Sequence, residues 1–125
     1  MPELPEVETT VKSLNILNFK KVIKVDIFTK KLRYPVSNIK LKRLIGVKLL
    51  KSRRIGKYVI LDFDNCYSLI IHLGMSGRLK TVSSNYKRIK HDHFILYFLS
   101  KKILIYHDPR KFGFIDIVKT KDLQK

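Results

Sequence analysis

The sequence predicts a mainly β protein with flanking helices, built as a two-sheet antiparallel β-sandwich of about eight strands. Three observations predict this fold class. Strand signals dominate after residue 46, the separators between them are short and turn-like, and no helical segment interrupts the later strands. Such short turns imply antiparallel pairing, because parallel strands need a long crossover connection. We expect a single domain over residues 1–125, with an N-terminal helix on its flank.

The N-terminal segment predicts an amphipathic helix from about Pro5 to Leu17. Proline suits the first turn of a helix, where its missing N–H is not needed. Val7, Val11 and Leu14 then recur at helical spacing. We expect these three side chains to face the core.

The segment from Lys21 to Phe28 predicts the first strand. Ile23, Val25 and Ile27 alternate with polar residues, which is the pattern of a strand with one buried face. The alternation predicts that these three side chains point inward.

The middle of the chain predicts a break, a short helix and then a run of strands. Tyr34-Pro35 interrupts regular structure, Ser37 can cap a short helix, and Gly46 can end it. Asp64-Asn65, Gly74 to Gly77 and Asp108-Pro109 are the clearest turns among the later strands. The seven later strands are predicted at Val47 to Arg54, Lys57 to Phe63, Tyr67 to Leu73, Arg78 to Val82, His93 to Leu99, Lys102 to His107 and Phe114 to Val118.

The composition indicates a globular protein with an anionic partner. Of the 125 residues, 45% are apolar, and 27 Lys and Arg against 10 Asp and Glu give a formal net charge of +17. Nucleic acid is the first candidate partner, although a genome rich in A and T would also enrich lysine. No apolar run is long enough to span a membrane, and the acidic start does not match a signal peptide. We therefore expect a cytoplasmic protein without a membrane partner.

The first eight residues combine all three glutamates with a proline that can become the chain terminus. Helix chemistry explains Glu6 and Glu8, because acids complement a helix N-terminus, but Glu3 precedes the helix. Removal of Met1 before the small Pro2 would expose a secondary amine. A terminal amine titrates near ~8, against ~10.4 for lysine, so a useful fraction is unprotonated at neutral pH. The dipeptide alone favours the interpretation of Pro2 as an ordinary second residue.

Several motifs together resemble the bacterial formamidopyrimidine-DNA glycosylase family. The most specific is PELPEVETT at residues 2–10, and the resemblance runs in the family's order and spacing to about Phe114. Leu4 favours this branch over its endonuclease VIII relatives. The other matching segments are Leu32 to Val36, Arg54 to Tyr58, His72 to Gly77, His91 to His93 and Asp108 to Gly113.

The resemblance implies covalent catalysis by the terminal amine. Pro2 would attack the sugar C1′ of a damaged purine nucleotide, expel the base and form an iminium (Schiff base), after which β- and δ-elimination cut the strand. Glu3 would shuttle a proton to the sugar ring oxygen or hydroxyl. Lys57 would donate a proton during β-elimination and hold a phosphate near the lesion. Without the motif, Lys57 would be interpreted as a solvated lysine at a strand end.

Two glycine-containing loops supply the predicted DNA contacts. Met75 is an apolar residue at a turn tip, where polar residues or glycine are usual, and it resembles the wedge that fills the stack when a base is extruded. Arg110 and Phe112 resemble the residues that contact the opposite strand and the orphaned base. The sequence alone leaves open whether Phe112 is instead a core aromatic.

The histidines and the single cysteine have more than one interpretation. His91 and His93 would share a face if extended, and with His72 or His107 they could suggest a metal site. We predict no metal, because loop histidines in a basic protein more often meet phosphate or backbone groups, and the resemblance assigns His91 to DNA contact. Cys66 cannot form an internal disulfide or a cysteine-based zinc site and is interpreted as a bystander.

Full-length relatives continue with a helix-two-turn-helix domain and a zinc finger, and this chain ends before either. We therefore expect an N-terminal catalytic domain over residues 1–125 with no cofactor of its own, acting as a monomer on damaged double-stranded DNA. The implied activity is that of a bifunctional glycosylase and AP lyase for oxidised purines such as 8-oxoguanine and formamidopyrimidines, weakened by the missing half. The alternative is a non-catalytic basic remnant that binds DNA without turnover.

Overall fold

The computed structural model describes residues 4–123 as two four-stranded antiparallel sheets with helices on their flanks. The predicted fold class is confirmed, and no predicted strand end differs from the observed one by more than two residues. The short turns allow only antiparallel neighbours, as expected. The strands are β1 (Val22–Ile27), β2 (Leu49–Ile55), β3 (Tyr58–Phe63), β4 (Tyr67–His72), β5 (Arg78–Ser83), β6 (Asp92–Phe98), β7 (Lys102–His107) and β8 (Phe114–Lys119).

The two sheets enclose one main hydrophobic core. The first sheet has the strand order β1-β6-β7-β5, and the second has the order β2-β3-β4-β8. Side chains from both inner faces, together with those of the N-terminal helix, form this core. The outer face of the first sheet carries a smaller cluster of Ile95, Ile103 and Ile105, which Val82 and Tyr86 help to cover. Strands β6 and β7 are therefore largely buried on both faces.

The N-terminal helix forms where the spacing of valines and leucines predicts it. Helix α1 (Leu4–Ser13) continues as a 3₁₀ helix over Leu14–Leu17, so the last predicted turns are wound more tightly than an α-helix. Val7, Val11 and Leu14 are buried, as predicted. In residues 4–123, no helix is both long enough and apolar enough to cross a bilayer.

The prediction for β1 is wrong at Ile23, whereas Val25 is buried and Ile27 packs against the core as expected. Ile23 was expected to point inward, but half of its surface is exposed, at 50%. The pairing of β1 with β6 shifts register between Val22 and Lys24, and at this bulge Val22 points inward in place of Ile23, while Val25 keeps its predicted place in the core. An extra residue in one strand reverses the face of every side chain on one side of it, which strict alternation cannot anticipate.

The short second helix begins at the predicted cap and ends earlier than expected. Helix α2 covers Asn38–Lys42, and the Ser37 hydroxyl accepts a hydrogen bond from the Lys40 N–H at 3.2 Å. The helix was expected to run to Gly46. Instead, a hydrogen-bonded turn follows Lys42, and Gly46 adopts a φ of +89° at the end of that turn.

Candidate nucleic-acid interface and active site

Two loops at the same end of the sandwich pack directly against each other. The first loop, residues 73–77, joins β4 to β5, and the second loop, residues 108–113, joins β7 to β8. At Gly74, which has a φ of +63°, a Cβ atom would lie 2.6 Å from the backbone nitrogen of Gly113. A Cβ at Gly113 would overlap the Tyr106 hydroxyl and the His72 carbonyl oxygen. Glycine at both positions is what permits this close approach.

The buried side chain of Asp108 joins the two loops. Its Oδ1 accepts hydrogen bonds from the Ser76 hydroxyl at 2.6 Å and the Lys111 N–H at 3.1 Å. Its Oδ2 accepts from the Tyr106 hydroxyl at 2.7 Å and the Gly113 N–H at 3.0 Å. Each carboxylate oxygen therefore has two donors, and a buried charge with this many partners is well compensated.

These hydrogen bonds keep Asp108 ionised. Burial by itself would raise the pKa of Asp108, but the donors from Ser76, Tyr106, Gly113 and Lys111 outweigh it and lower the pKa below its usual value. Burial, and then the hydrogen bond to the Asp108 carboxylate, raise the pKa of Tyr106. Tyr106 therefore remains a neutral donor, and Asp108 a charged acceptor, throughout the neutral range.

The two loops present apolar side chains to solvent. Met75 is 52% exposed at the tip of the first loop, and Phe112 is 44% exposed in the second loop. The structure thus excludes the alternative in which Phe112 is a core aromatic. The guanidinium carbon of Arg110 lies 5.0 Å from the centre of the Phe112 ring, within the range of a cation–π contact.

A cationic cleft of about 550 Å³ opens between the loops and the segment before α2. Three of its lining side chains carry positive charge, and Met75 and Phe112 supply its apolar surface. A cleft that combines cations with apolar groups suits a ligand with charged phosphates and flat bases. The lining residues are Leu32, Arg33, His72, Gly74, Met75, Arg110, Lys111 and Phe112.

His72 forms the floor of this cleft as a neutral side chain. Its Nδ1 accepts a hydrogen bond from the Gly74 N–H at 3.1 Å, which places the ring proton on Nε2. Burial, and then the positive charges of Arg33 and Lys57, lower its pKa. The His72 ring also stacks on Phe114, with ring centres 5.5 Å apart and planes 3° from parallel. Sequence reasoning placed His72 in the HLGMSG loop segment and considered it as a metal ligand, but it did not predict a role for the side chain in the cleft.

Lys57 lies in the tight turn between β2 and β3 and is half-buried. Lys57 precedes Tyr58, which pairs with His72 across β3 and β4 with ring centres 5.1 Å apart, and the charge of Lys57 contributes to the lowered pKa of His72. The same turn is tied to α1: Arg54 Nε donates to Glu8 Oε1 at 2.9 Å, and Arg54 Nη1 donates to the Gly56 carbonyl oxygen at 2.9 Å. Sequence reasoning assigned Glu8 only to the helix N-terminus and missed this link between helix and turn.

The two remaining catalytic residues predicted from sequence, Pro2 and Glu3, lie outside the described residues. The assignment of Pro2 to nucleophilic attack and of Glu3 to proton transfer stays a prediction. The described chain begins at Leu4 in α1.

The rings of His91 and His93 lie close together, with centres 6.5 Å apart, but the backbone between them is not regularly extended. His91 adopts a φ of +72°, and the pairing of β6 with β7 shifts between Asp92 and Phe94. His91 is half-exposed, whereas His93 is only 4% exposed and bonds through Nε2 to the Asp108 carbonyl oxygen at 2.7 Å. Burial lowers the pKa of His93. Across residues 4–123, no three His, Cys, Asp or Glu side chains are grouped in a way that could hold a metal ion.

A second buried carboxylate, Asp92, organises the segment that carries His91. Its Oδ2 accepts from the Tyr86 hydroxyl at 2.8 Å and the Ile89 N–H at 3.0 Å, and its Oδ1 lies 2.8 Å from His107 Nδ1. Burial opposes its charge, but these hydrogen bonds, with a smaller contribution from Lys80, lower the pKa of Asp92. Sequence reasoning missed this role, because the partners lie up to 15 residues away.

Comparison with known proteins identifies the family. The family model described as "Formamidopyrimidine-DNA glycosylase N-terminal domain" matches residues 1–115. Formamidopyrimidine-DNA glycosylase of Rickettsia africae is 45% identical over the whole chain, and that of Zymomonas mobilis is 44% identical over 98% of it. The chain spans 46% and 45% of the length of these two relatives, which is about half.

Solved structures of Lactococcus lactis FPG share the fold. Its complex with FAPY-dG-containing DNA aligns with a TM-score of 0.87 and 32% identity, over 97% of this chain and 46% of the other. The complex with abasic-site-containing DNA aligns equally well, over 98% of this chain. With the family model matching most of its length, the chain belongs to the formamidopyrimidine-DNA glycosylase family and corresponds to the N-terminal domain of its members.

Proposed function

We propose that the chain is the catalytic N-terminal domain of a DNA repair enzyme, a bifunctional glycosylase and AP lyase that acts on oxidised purines in damaged double-stranded DNA. The observation that carries this proposal is the pair of joined loops, which expose Met75 and Phe112 beside a cationic cleft. The Lactococcus lactis structures, which are complexes with FAPY-dG-containing and abasic-site-containing DNA, support the same class of partner.

The loops have the chemistry needed to hold a duplex open at a lesion. A base must leave the stack before an enzyme can reach its glycosidic bond, and an apolar side chain can fill the vacated space. Met75 is the wedge in this proposal, while Phe112 and Arg110 contact the opposite strand. Arg33 and Lys111 hold the flanking phosphates by charge, and His91 adds a contact at the neighbouring segment.

The covalent step uses the secondary amine of Pro2 after removal of Met1. The amine nitrogen forms a bond to C1′ as the N-glycosidic bond breaks and the base leaves with the bonding electrons. Opening of the sugar ring then gives the iminium, with a proton delivered to the ring oxygen by Glu3. Loss of a proton from C2′ expels the 3′ phosphate, and a further elimination expels the 5′ phosphate.

Lys57 assists this chemistry from the turn between β2 and β3. In the proposal, its ammonium group donates a proton during β-elimination and attracts a phosphate of the lesion nucleotide. A cation at this position suits both roles. Because the pKa of the neighbouring His72 is lowered and its ring is neutral, Lys57 and Arg33 supply the positive charge in this part of the cleft.

Borohydride trapping tests the covalent step. Incubation with duplex DNA carrying 8-oxoguanine or an abasic site, in the presence of borohydride, should reduce the iminium to a stable adduct that is visible by mass. Intact mass of the protein should show that Met1 has been removed. The control is a Pro2→Leu chain, which retains Met1 and should form no adduct. Absence of an adduct with both substrates would contradict the enzyme proposal and favour DNA binding without turnover.

The wedge is tested separately by Met75→Ala. Because Met75 is exposed, the substitution should leave folding unchanged, yet it should weaken binding to an abasic-site duplex by about tenfold, or ~1.4 kcal/mol. Binding to single-stranded DNA should change much less in the same fluorescence anisotropy assay. Leu99→Ala is the matched control, since Leu99 is 64% exposed and follows the end of β6 that lies away from the two loops. Equal losses on duplex and single strand would contradict a wedge.

A further inference from the structure

We propose that Asp108 is a positioning residue that holds three DNA-contacting segments as one rigid unit, so that they engage the duplex together. The proposal rests on the proposed function, because it takes Met75, Arg110, Phe112 and His91 as DNA contacts. The segments are the first loop, the second loop and the turn that ends at His91. Each is hydrogen-bonded to Asp108.

The side chain of Ser76 makes the link between the first two loops. Its hydroxyl donates to Asp108 Oδ1 at 2.6 Å and accepts from the Arg110 N–H at 3.2 Å. Ser76, which directly follows the exposed Met75, is therefore bonded both to Asp108 and to Arg110 in the second loop. Movement of one loop without the other requires both of these hydrogen bonds to break.

The backbone of Asp108 makes the link to the third segment. Its N–H donates to the His91 carbonyl oxygen at 3.0 Å, and its carbonyl oxygen lies 2.7 Å from His93 Nε2. His91 thereby holds a φ of +72° beside the base of the second loop. Side chain and backbone of a single residue thus bind all three segments.

A carboxylate suits this role better than any neutral side chain. It accepts at both oxygens and donates nothing, which matches the four donors that face it. The closest neutral replacement, asparagine, would turn an N–H₂ group toward two of these donors. A unit that is already ordered loses less entropy on binding than separate loops would, so coupling raises affinity without adding a contact.

Amide hydrogen exchange tests the coupling without DNA. In Ser76→Ala the Arg110 N–H loses its acceptor, and its exchange should accelerate at least tenfold by NMR. Ser76→Thr keeps a hydroxyl and should restore the slow exchange. Ser13→Ala is the matched control, because Ser13 bonds only locally, to the Thr10 carbonyl oxygen in α1. Unchanged exchange at Arg110 in Ser76→Ala would overturn the proposal.

A double-mutant cycle tests the consequence for DNA binding. With Ser76 present, the affinity lost by Met75→Ala and Phe112→Ala together should be at least threefold smaller than the product of their separate losses. In the Ser76→Ala background the losses should simply multiply. The same non-additivity in both backgrounds would overturn the coupling. If the parent chain does not prefer an abasic-site duplex over undamaged duplex, the proposed function fails instead, and the exchange result still decides the coupling.

Discussion

At the scale of single residues, two buried aspartates shape the surface more than the exposed groups that first attract attention. The concentration of glutamates near the N-terminus was visible in the sequence, whereas Asp108 was recognised only as a turn residue before Pro109. Its partner Ser76 comes from another loop, 32 residues away along the chain, and joins Tyr106 from the strand directly before Asp108. A local pattern predicts the turn but cannot predict which distant donors meet there.

The stability of the protein should depend on the charge of Asp108. Its folded pKa lies below the unfolded value of about 3.9, so its contribution is complete above that pH and is lost as pH falls through the folded pKa. At pH 7, Asp108→Asn should lower the free energy of unfolding by about 2–4 kcal/mol, because buried donors lose their acceptor. The difference between parent and variant should shrink on acidification.

Urea unfolding followed between pH 7 and pH 2 checks this dependence. Asp122→Asn is the control, because Asp122 is exposed and its replacement should have little effect at any pH. A difference between parent and Asp108→Asn that stays constant down to the lowest pH would show that charge is not what Asp108 contributes.

At the scale of elements, the strands were predictable because apolar residues and turn residues alternate clearly along the chain. The sequence could not show the bulge in β1, since a register shift depends on the partner strand β6. It also could not show that the loops after β4 and β7 meet, although both contain glycine. The contact between these loops follows from the strand order. Strand β4 pairs with β8 in one sheet and β5 pairs with β7 in the other, so the β4–β5 and β7–β8 loops cross between the sheets side by side.

The close approach of the two loops predicts a specific intolerance at Gly113. Gly113→Ala should lower the free energy of unfolding by about 3 kcal/mol, because the new methyl group meets the Tyr106 hydroxyl and the His72 carbonyl oxygen. Gly56→Ala is the comparison: Gly56 has a φ of +57° but open space around it, so only the backbone cost of about 1 kcal/mol is expected. Thermal unfolding of both variants measures the contrast, and equal destabilisation would argue against tight loop packing.

At the scale of the whole molecule, the charge of +17 predicted a polyanionic partner but not where it binds. The family motifs located the two loops, and the structure adds the cleft between them, with Arg33 and Lys111 on its walls. Neither cation stood out in the sequence, because lysine and arginine are common throughout. Their significance comes from position alone.

The salt dependence of DNA binding should separate cations of the cleft from the others. The logarithm of Kd for an undamaged duplex should rise linearly with the logarithm of salt concentration, with a slope of about 0.9 for each phosphate neutralised. Lys111→Ala, which removes a cation proposed to hold a phosphate, should reduce the slope by about one such step. Lys102→Ala, at the far end of β7 from the second loop, should leave it unchanged. An equal reduction for both variants would indicate binding by overall charge.

The order of strands also leaves each sheet with two outer strands, and their exposed cations bear on how copies of the protein meet. Lys24 on β1, Lys51 on β2, Arg78 on β5 and Lys119 on β8 are all exposed. The bulges in β1 and β2 further disturb the row of free backbone groups that another strand would need. Two molecules approaching edge to edge would bring like charges together, which opposes the sheet extension that leads to aggregation. The positive charge that prepares this protein for a polyanion therefore also keeps its open sheet edges from pairing with one another at high concentration.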